Sequence, residues 1–291
     1  MTMSVSLIIP TLNAGSDIGA LIDAILNQSR VPDEILVVDS TSEDRTVEIA
    51  SSYREVEVEV INRRDFDHGL TRDKALRKTS GDIVCFMTQD AMPANNKFVE
   101  RLIEPILGDS LIAISSGRQL PKADARRYEQ LVRCFNYTEH SNVRSKADIP
   151  TLGIKAYFAT DVCAAYRRSI YLELGGFGQT DMNEDMLMAA KAVNAGWKVA
   201  YAANAEVYHS HNLTPRQQYE RNRAIGRFLE RNAEQLLCAS EVGEGSRLAK
   251  NVAMTLLKEG NVPELFAFAA DCVARFAGNR AGRSEIRKAA R

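Results

Sequence analysis

The sequence predicts an α/β protein, a mostly parallel sheet flanked by helices and followed by a C-terminal helical extension. Three observations carry this. Short β-branched runs alternate with longer helical stretches up to about residue 116, a charged and irregular middle follows, and residues 215–290 read as helix throughout. Regular alternation of strand and helix implies parallel strands joined by right-handed crossovers.

In order, the strands are "VSLII" (5–9), "EILVV" (34–38), "VEVEVI" (56–61), "DIVCFM" (82–87) and "LIAISS" (111–116), each rich in the Val and Ile that suit a pleated surface. The helices between them fall near residues 17–27, 44–53, 71–78 and 95–107. The second follows "DSTSED", where Ser42 or Asp44 can cap it, and the third follows Gly69 and begins near Thr71. Residues 117–161 contain charged stretches such as "ADARRYEQLVRCFNY" without a period-2 strand, so helices and mobile loops over a cleft are expected there. Residues 1–212 read as the sheet domain and 213–291 as a separate helical appendage.

At 291 residues with 45% hydrophobic and 26% charged residues, the chain can bury one large core. Its 37 basic and 38 acidic residues nearly cancel, which removes any global electrostatic case for nucleic-acid binding. Five widely spaced cysteines without a CxxC pair (Cys85, Cys134, Cys163, Cys238, Cys272) argue against a disulfide framework and a zinc site, and fit a reducing cytosol. The opening "MTMSVSLIIPTLN" has no basic segment and is broken by Pro10, so no signal peptide is expected. No run approaches the roughly 20 apolar residues that span a bilayer, which limits membrane contact to the periphery.

Parallel strands place their C-terminal ends along one edge, where ligands of open α/β sheets bind. Pro10, Thr11 and Asn13 follow the first strand, Asp39 the second, Asp67 and His68 the third, and Gln89 and Asp90 the fourth. Polar residues from four distant segments therefore meet at the mouth of one cleft.

The stretches "SLIIPTLN", "ILVVDSTSEDRT", "DHGLTRDKAL", "FMTQDAMP", "AAYRRSIYLELGGF", "NEDMLMAAKAVNAGW" and "VYHSH", in this order, resemble the inverting family-2 glycosyltransferases of GT-A fold, and among them the rhamnosyltransferase-like group. The resemblance covers roughly residues 5–227. It implies that Asp39 accepts the N3 proton of a uracil or thymine ring, and that Pro10, Thr11, Asn13, His68, Arg72, Gln89 and Arg221 lie on the donor side. Arg72 would face a diphosphate; the family commonly has Asn after this arginine, whereas Asp73 stands here and must point away. The family's Asp-x-Asp metal motif reads Thr88-Gln89-Asp90, with the first carboxylate missing and Asp90 as the ligand.

Because phosphates supply further oxygens, one or two protein carboxylates suffice for Mg²⁺ or Mn²⁺. His209 of "YHSH" falls where the family has a histidine near the metal, with His211 on the same face of an extended segment. Of the pair Glu184 and Asp185, the resemblance makes Asp185 the general base and puts Glu184 on the acceptor side. Each residue also has a structural reading: Asp39 and Asp90 near caps or turns, Glu184 and Asp185 at a helix N-terminus, and Arg223, Arg227 and Arg231 on a solvated helical face.

The implied reaction moves a sugar from a nucleoside-diphosphate donor, dTDP-rhamnose or a UDP-sugar, to a hydroxyl of a glycan or lipid-linked acceptor. Two rivals stand beside it, a nucleotidyltransferase and a non-catalytic nucleotide-sugar-binding or scaffold protein. The "PTLNAGSD" turn has one glycine and no lysine, against the first, and Asp90 and Asp185 weigh against the second. In the tail, Leu265, Phe268, Ala269, Cys272, Val273 and Phe276 form an amphipathic stripe, followed by a basic arm of Arg275, Arg280, Arg283, Arg287, Lys288 and Arg291. The stripe packs on the catalytic domain or on a second subunit, or else the arm meets anionic lipid at the inner face of the cell membrane.

Overall fold

The computed structural model describes residues 3–180, 182–236 and 242–289, the side chains of 242–244 excepted. Cys238 and Arg291 lie outside the described residues. The strands are β1 (Val5–Thr11), β2 (Glu34–Asp39), β3 (Val56–Val60), β4 (Ile83–Met87), β5 (Met92–Pro93), β6 (Ile112–Leu120), β7 (Asn142–Arg144), β8 (Cys163–Arg167) and β9 (Lys198–Tyr208). The helices are α1 (Ile18–Leu26), α2 (Thr46–Ser51), α3 (His68–Lys78), α4 (Phe98–Gly108), α5 (Arg127–Asn136), α6 (Ile149–Leu152), α7 (Arg168–Glu173), α8 (Glu184–Asn194), α9 (Pro215–Arg231), α10 (Val242–Lys258) and α11 (Val262–Ala289).

The sheet runs β3-β2-β1-β4-β8-β6-β9-β5, with β7 also paired to β9. Its first four strands are parallel. β8 is antiparallel to both β4 and β6, and β9 is parallel to β6, so β6 and β9 point the same way as β1 to β4. The sheet is therefore mixed: six strands share a direction, β8 is inserted reversed in their midst, and the short β5 and β7 run antiparallel to β9. The insertion escaped the sequence reading because "CAAYR" is short and alanine-rich, a weak strand signal. Its small side chains are fully buried between neighbours instead.

Strands covered on both faces read as apolar runs rather than alternations. Leu7 and Ile9 of β1 and Cys85 and Met87 of β4 enter one core with α1 and α4, whereas Ile8, Val84 and Phe86 enter the opposite core with Leu76, Tyr171 and Met188.

The cleft opens where β1 and β4 part. Their ladder ends at Ile8 and Phe86, while β1 continues beside β2 as far as Thr11 and Asp39. Pro10, which has no N–H to donate, sits beyond the last β4 pairing, so its missing donor costs no bond on that side. This is the topological switch point of the sheet, with β2 on one side of β1 and β4 on the other.

The C-terminal helices pack onto this frame. Phe228 and Leu229 of α9 belong to the core that holds Ile8 and Phe86. α9 and α11 touch backbone to backbone: a Cβ added at Gly278 would lie 2.3 Å from the Tyr219 carbonyl, and one at Gly282 would lie 1.9 Å from that of Arg223. α5 meets α10 and α11 through Tyr128, Val132, Val252, Leu256 and Phe268, with ion pairs Arg126–Glu264 (2.9 Å) and Arg127–Glu259 (2.5 Å).

The expected stripe is split by this packing. Phe268 is buried and Leu265 and Cys272 pack beside it, but Ala269, Val273 and Phe276 face outward. The basic arm is partly tied down, Arg275 to Asp271 (2.5 Å) and Arg287 to Glu230 (2.7 Å). Among the described residues no helix is long and apolar enough to cross a membrane.

Candidate active site

At the β2 end of the cleft the Asp39 carboxylate is fully buried and already held by three donors: the Thr11 hydroxyl (3.0 Å), the Ser42 N–H (2.8 Å) and the Ser42 hydroxyl (2.5 Å). A carboxylate has about four acceptor positions, so roughly one remains for an incoming N–H. Asn13, with φ 52°, accepts from the Glu43 N–H, and its own N–H donates to the Ser42 hydroxyl. The loops after β1 and β2 are thereby locked together. Gln89 braces the other side of the gap, its oxygen accepting from Leu12 N–H (2.7 Å) and its nitrogen donating to Leu12 C=O (3.0 Å).

Asp90 sits three residues past β4, and its Oδ2 lies 3.3 Å from Nε2 of both His209 and His211. The histidines leave the end of β9 on one face, as their i, i+2 spacing requires. His211, set behind His209 in the sequence reading, is thus an equal member of the cluster, whose three ligand atoms all lie within 4.8 Å of one another.

A residue that sequence reasoning missed, Gln119 at the buried end of β6, determines how His209 is protonated. Gln119 Oε1 accepts from an Arg133 Nη, so this atom must be the oxygen, and the same oxygen lies 2.9 Å from His209 Nδ1. Nδ1 is therefore the N–H, and Nε2 presents its lone pair to Asp90. Glu129 holds Arg133 in turn (2.8 Å).

Burial lowers both histidines, His211 to about 4, so neutral imidazoles are favoured. Burial pushes the Asp90 carboxyl up, but the hydrogen bond and charge that His209 supplies once its Nε2 is also protonated outweigh it and hold it well below the usual range; against the neutral imidazole that support is absent. Two imidazole lone pairs and an anionic oxygen converging on one point fit a divalent cation.

The opposite wall is acidic. α8 starts after Asn183, whose φ is 57°, and puts Glu184 and Asp185 in its first turn. Asp185 accepts from the Met186 N–H (2.7 Å) and the Asp161 N–H (3.1 Å). Burial, and then the charge of Glu184, push its carboxyl up to about 7 despite these bonds. Asp161, another residue absent from the sequence reading, is buried with the Tyr166 hydroxyl donating to it (2.6 Å), and burial raises it well above the ordinary carboxyl range even with Arg72 opposing.

Arg72 requires a correction. Expected to face a diphosphate, it is buried among these carboxylates, 2.9 Å from Glu184 and 3.6 Å from Asp161. The helix that carries it, α3, begins at His68, not near Thr71, because Asp67 caps it by accepting from the N–H groups of Gly69 and Leu70. His68 stays half-exposed beside Glu184, 4.0 Å away.

Asp73, unusual after this arginine, does point away: it accepts from the N–H groups of Phe177 and Gly178 (3.0 Å each) and from the Tyr171 hydroxyl. Gly176, at φ 71°, is needed there because a Cβ would lie 2.4 Å from Asp73 Oδ1.

Arg221 is exposed beside a cavity of about 290 Å³ that is also lined by His211, Tyr137, Gln218 and Arg275. Arg223, two residues further on, pairs with Glu285 (2.6 Å) of α11.

Residues 6–175 match the family described as glycosyl transferase family 2. The chain is 44% identical over 264 residues to the O-antigen chain rhamnosyltransferase RfbN of Salmonella typhimurium, covering 88% of this chain and 82% of that protein. It is 41% identical over 259 residues to the O-antigen chain rhamnosyltransferase WbaN of Salmonella anatum, with the same coverage of 88% and 82%. Among solved structures, the mannosyltransferase PcManGT from Pyrobaculum calidifontis, in complex with GDP-Man and Mn²⁺, superposes with a TM-score of 0.61 at 17% identity, covering 97% of this chain and 87% of that one. Glucosyl-3-phosphoglycerate synthase from Mycobacterium tuberculosis, with Mn²⁺ and UDP, gives 0.56 at 20% identity, covering 79% and 80%. At these identities the two structures establish likeness of fold.

Proposed function

The chain belongs to glycosyl transferase family 2 as a nucleotide-sugar glycosyltransferase, and from that premise we propose that it transfers rhamnose from dTDP-rhamnose to a glycan hydroxyl with inversion. The observation that carries the reading is the pair Thr160-Asp161. The Thr160 hydroxyl accepts from Gln119, which orients His209, and the next N–H, that of Asp161, donates to Asp185. One short loop thus braces both the cation cluster and the raised carboxylate.

In this reading Asp39 accepts the pyrimidine N3 proton with its remaining lone pair, and discriminates by leaving a buried carboxylate unpaired when that donor is missing. Asp185 takes the acceptor hydroxyl's proton while that oxygen bonds to the anomeric carbon and the bond to the nucleoside diphosphate breaks. One displacement from the opposite face inverts the configuration. Asp90, His209 and His211 would hold a divalent cation, which supplies charge neutralisation at the leaving diphosphate. With two imidazoles in the set, Mn²⁺ fits better than Mg²⁺, which prefers oxygen alone. Arg72 pairs with Glu184 and Asp161 beside the base and is a positioning residue, and Arg221 closes on the phosphates. Residues 1–212 form the catalytic domain with 213–291 as its helical extension, and the acceptor is a lipid-linked glycan handled in the cytoplasm.

The test is transfer by purified full-length protein from dTDP-rhamnose and from UDP-sugars, with Mn²⁺, Mg²⁺ or EDTA, reading the product anomer by NMR. Turnover of dTDP-rhamnose with inversion, lost in EDTA, is expected. Preference for a UDP-sugar overturns the donor assignment, and retention overturns the single displacement.

A further inference from the structure

Helix α11 presents an apolar face that nothing in the described chain covers. Val262, Phe266, Val273 and Phe276 are 52%, 71%, 68% and 69% exposed. At 100° per residue they fall within about 40° of one line, together with exposed Ala269, and Arg280 continues that line. The opposite side carries the buried Phe268, Asp271, Gly278 and Gly282, so the outward stripe is fixed by packing and is not a frayed end. It extends about 21 Å along the helix. The preceding helix α10 has a shorter stripe of the same kind, Met254 and Leu257, flanked by Lys250 and Lys258.

The charges around these stripes are one-sided. From residue 245 onward every carboxylate of α10, α11 and the turn between them is ion-paired: Glu259 with Arg127, Glu264 with Arg126, Asp271 with Arg275, and Glu285 with Arg223 and Arg227. Lys250, Lys258, Arg280 and Lys288 are exposed and make no ion pair among the described residues. Among the described residues the face therefore offers large apolar side chains and free cations but no free anion.

We infer that this face is a docking surface for an anionic lipid bilayer, with Phe266, Val273 and Phe276 entering the headgroup boundary and Arg280, Lys288, Lys250 and Lys258 meeting lipid phosphates. A second copy of the chain fits less well. A two-fold contact would bring two sets of these cations onto one interface, with no unpaired carboxylate among the described residues of α10 and α11 to offset them, whereas a bilayer supplies the counter-charge. The inference stands apart from the donor and the chemistry, since none of these residues lines the cleft.

The experiment is flotation of the full-length protein with phosphatidylcholine vesicles, with and without phosphatidylglycerol, at low and high salt. Wild type should float with the anionic vesicles and be released by salt. The double variant Phe266→Ser, Phe276→Ser should partition at least about tenfold less, since each loses the burial of an aromatic ring. Arg280→Glu with Lys288→Glu should lose the preference for anionic lipid. All these side chains are exposed, so melting temperature and transfer to a soluble acceptor should be unchanged. Failure of wild type to float with anionic vesicles, or equal flotation of the Phe variant, overturns the inference. A dimer in light scattering that the Phe variant converts to monomer, without vesicle binding, assigns the stripe to a second copy and overturns it too.

Discussion

The two walls of the cleft hold their carboxylates in opposite ways. At the β2 end Asp39 is wrapped by three donors and is a finished hydrogen-bonding device with about one acceptor position left. At the α8 end Asp161, Glu184 and Asp185 crowd around one guanidinium, that of Arg72, and burial raises Asp185 to about 7. On the proposed function the difference separates recognition from reaction. A preorganised acceptor selects a ligand at no cost in reorganisation, while a carboxylate kept uncomfortable when charged is ready to take a proton near neutral pH.

The largest way to break this comparison is Asp185→Asn, which keeps size and polarity but removes the base. Transfer should fall by about 10²–10⁴-fold while donor binding persists. In wild type kcat/KM should climb as pH rises through about 7, where Asp185 becomes the ionised base, and the residual activity of the variant should lack that limb.

Next in size is Gln119→Leu, which strips His209 Nδ1 of its acceptor and frees the tautomer. Mn²⁺ affinity, read by electron paramagnetic resonance without any substrate, should drop about 10–100-fold. Gln119→Glu keeps both acceptor contacts and should retain most of the affinity. Normal Mn²⁺ binding by the Leu variant would remove Gln119 from the design.

Asp39→Asn sharpens the other wall. It turns an acceptor into a partial donor, so dTDP and UDP should bind about tenfold more weakly, with discrimination against cytidine diphosphate narrowed. Unchanged pyrimidine preference would mean that the base is read elsewhere.

The smallest effect is on stability. The folded Asp185 carboxyl titrates above its unfolded value, so the penalty is absent below about pH 4, grows as pH rises through about 7, and is complete above it. Thermal melts should therefore find Asp185→Asn more stable than wild type at pH 8, with the gap closing by pH 4. A variant less stable at pH 8 would show that Asp185 is a structural ligand of Asp161.

Much of this was legible in the sequence, and the reasons are physical. The five strands 5–9 to 111–116 carry β-branched runs strong enough to be read locally, and strand-end position alone brought Asp39 and Asp90 to one edge. β8 was hidden because alanines chosen to fit a tight interior give no local strand preference. The start of α3 was placed three residues late, since Asp67 was not read as its cap, and the carboxylates that hold Arg72 come from segments nearly 90 residues and more away in the chain.

Gln119 and Asp161 could not be found from the sequence, because each acts through a partner more than 20 residues away. The "YHSH" spacing held the signal for His211 all along. In the tail, period-3.6 spacing identified an amphipathic helix but not which side the glycines of α9 and α11 would draw inward.

The claim that one wall recognises and the other reacts is tested most directly by measuring dTDP binding by calorimetry with Mn²⁺, and rhamnose transfer, side by side on Asp39→Asn and Asp185→Asn. The account predicts a crossed result: Asp39→Asn binds dTDP weakly but still transfers at saturating donor, and Asp185→Asn binds like wild type but does not transfer. Parallel losses of binding and transfer in both variants, or full transfer by Asp185→Asn, would contradict it.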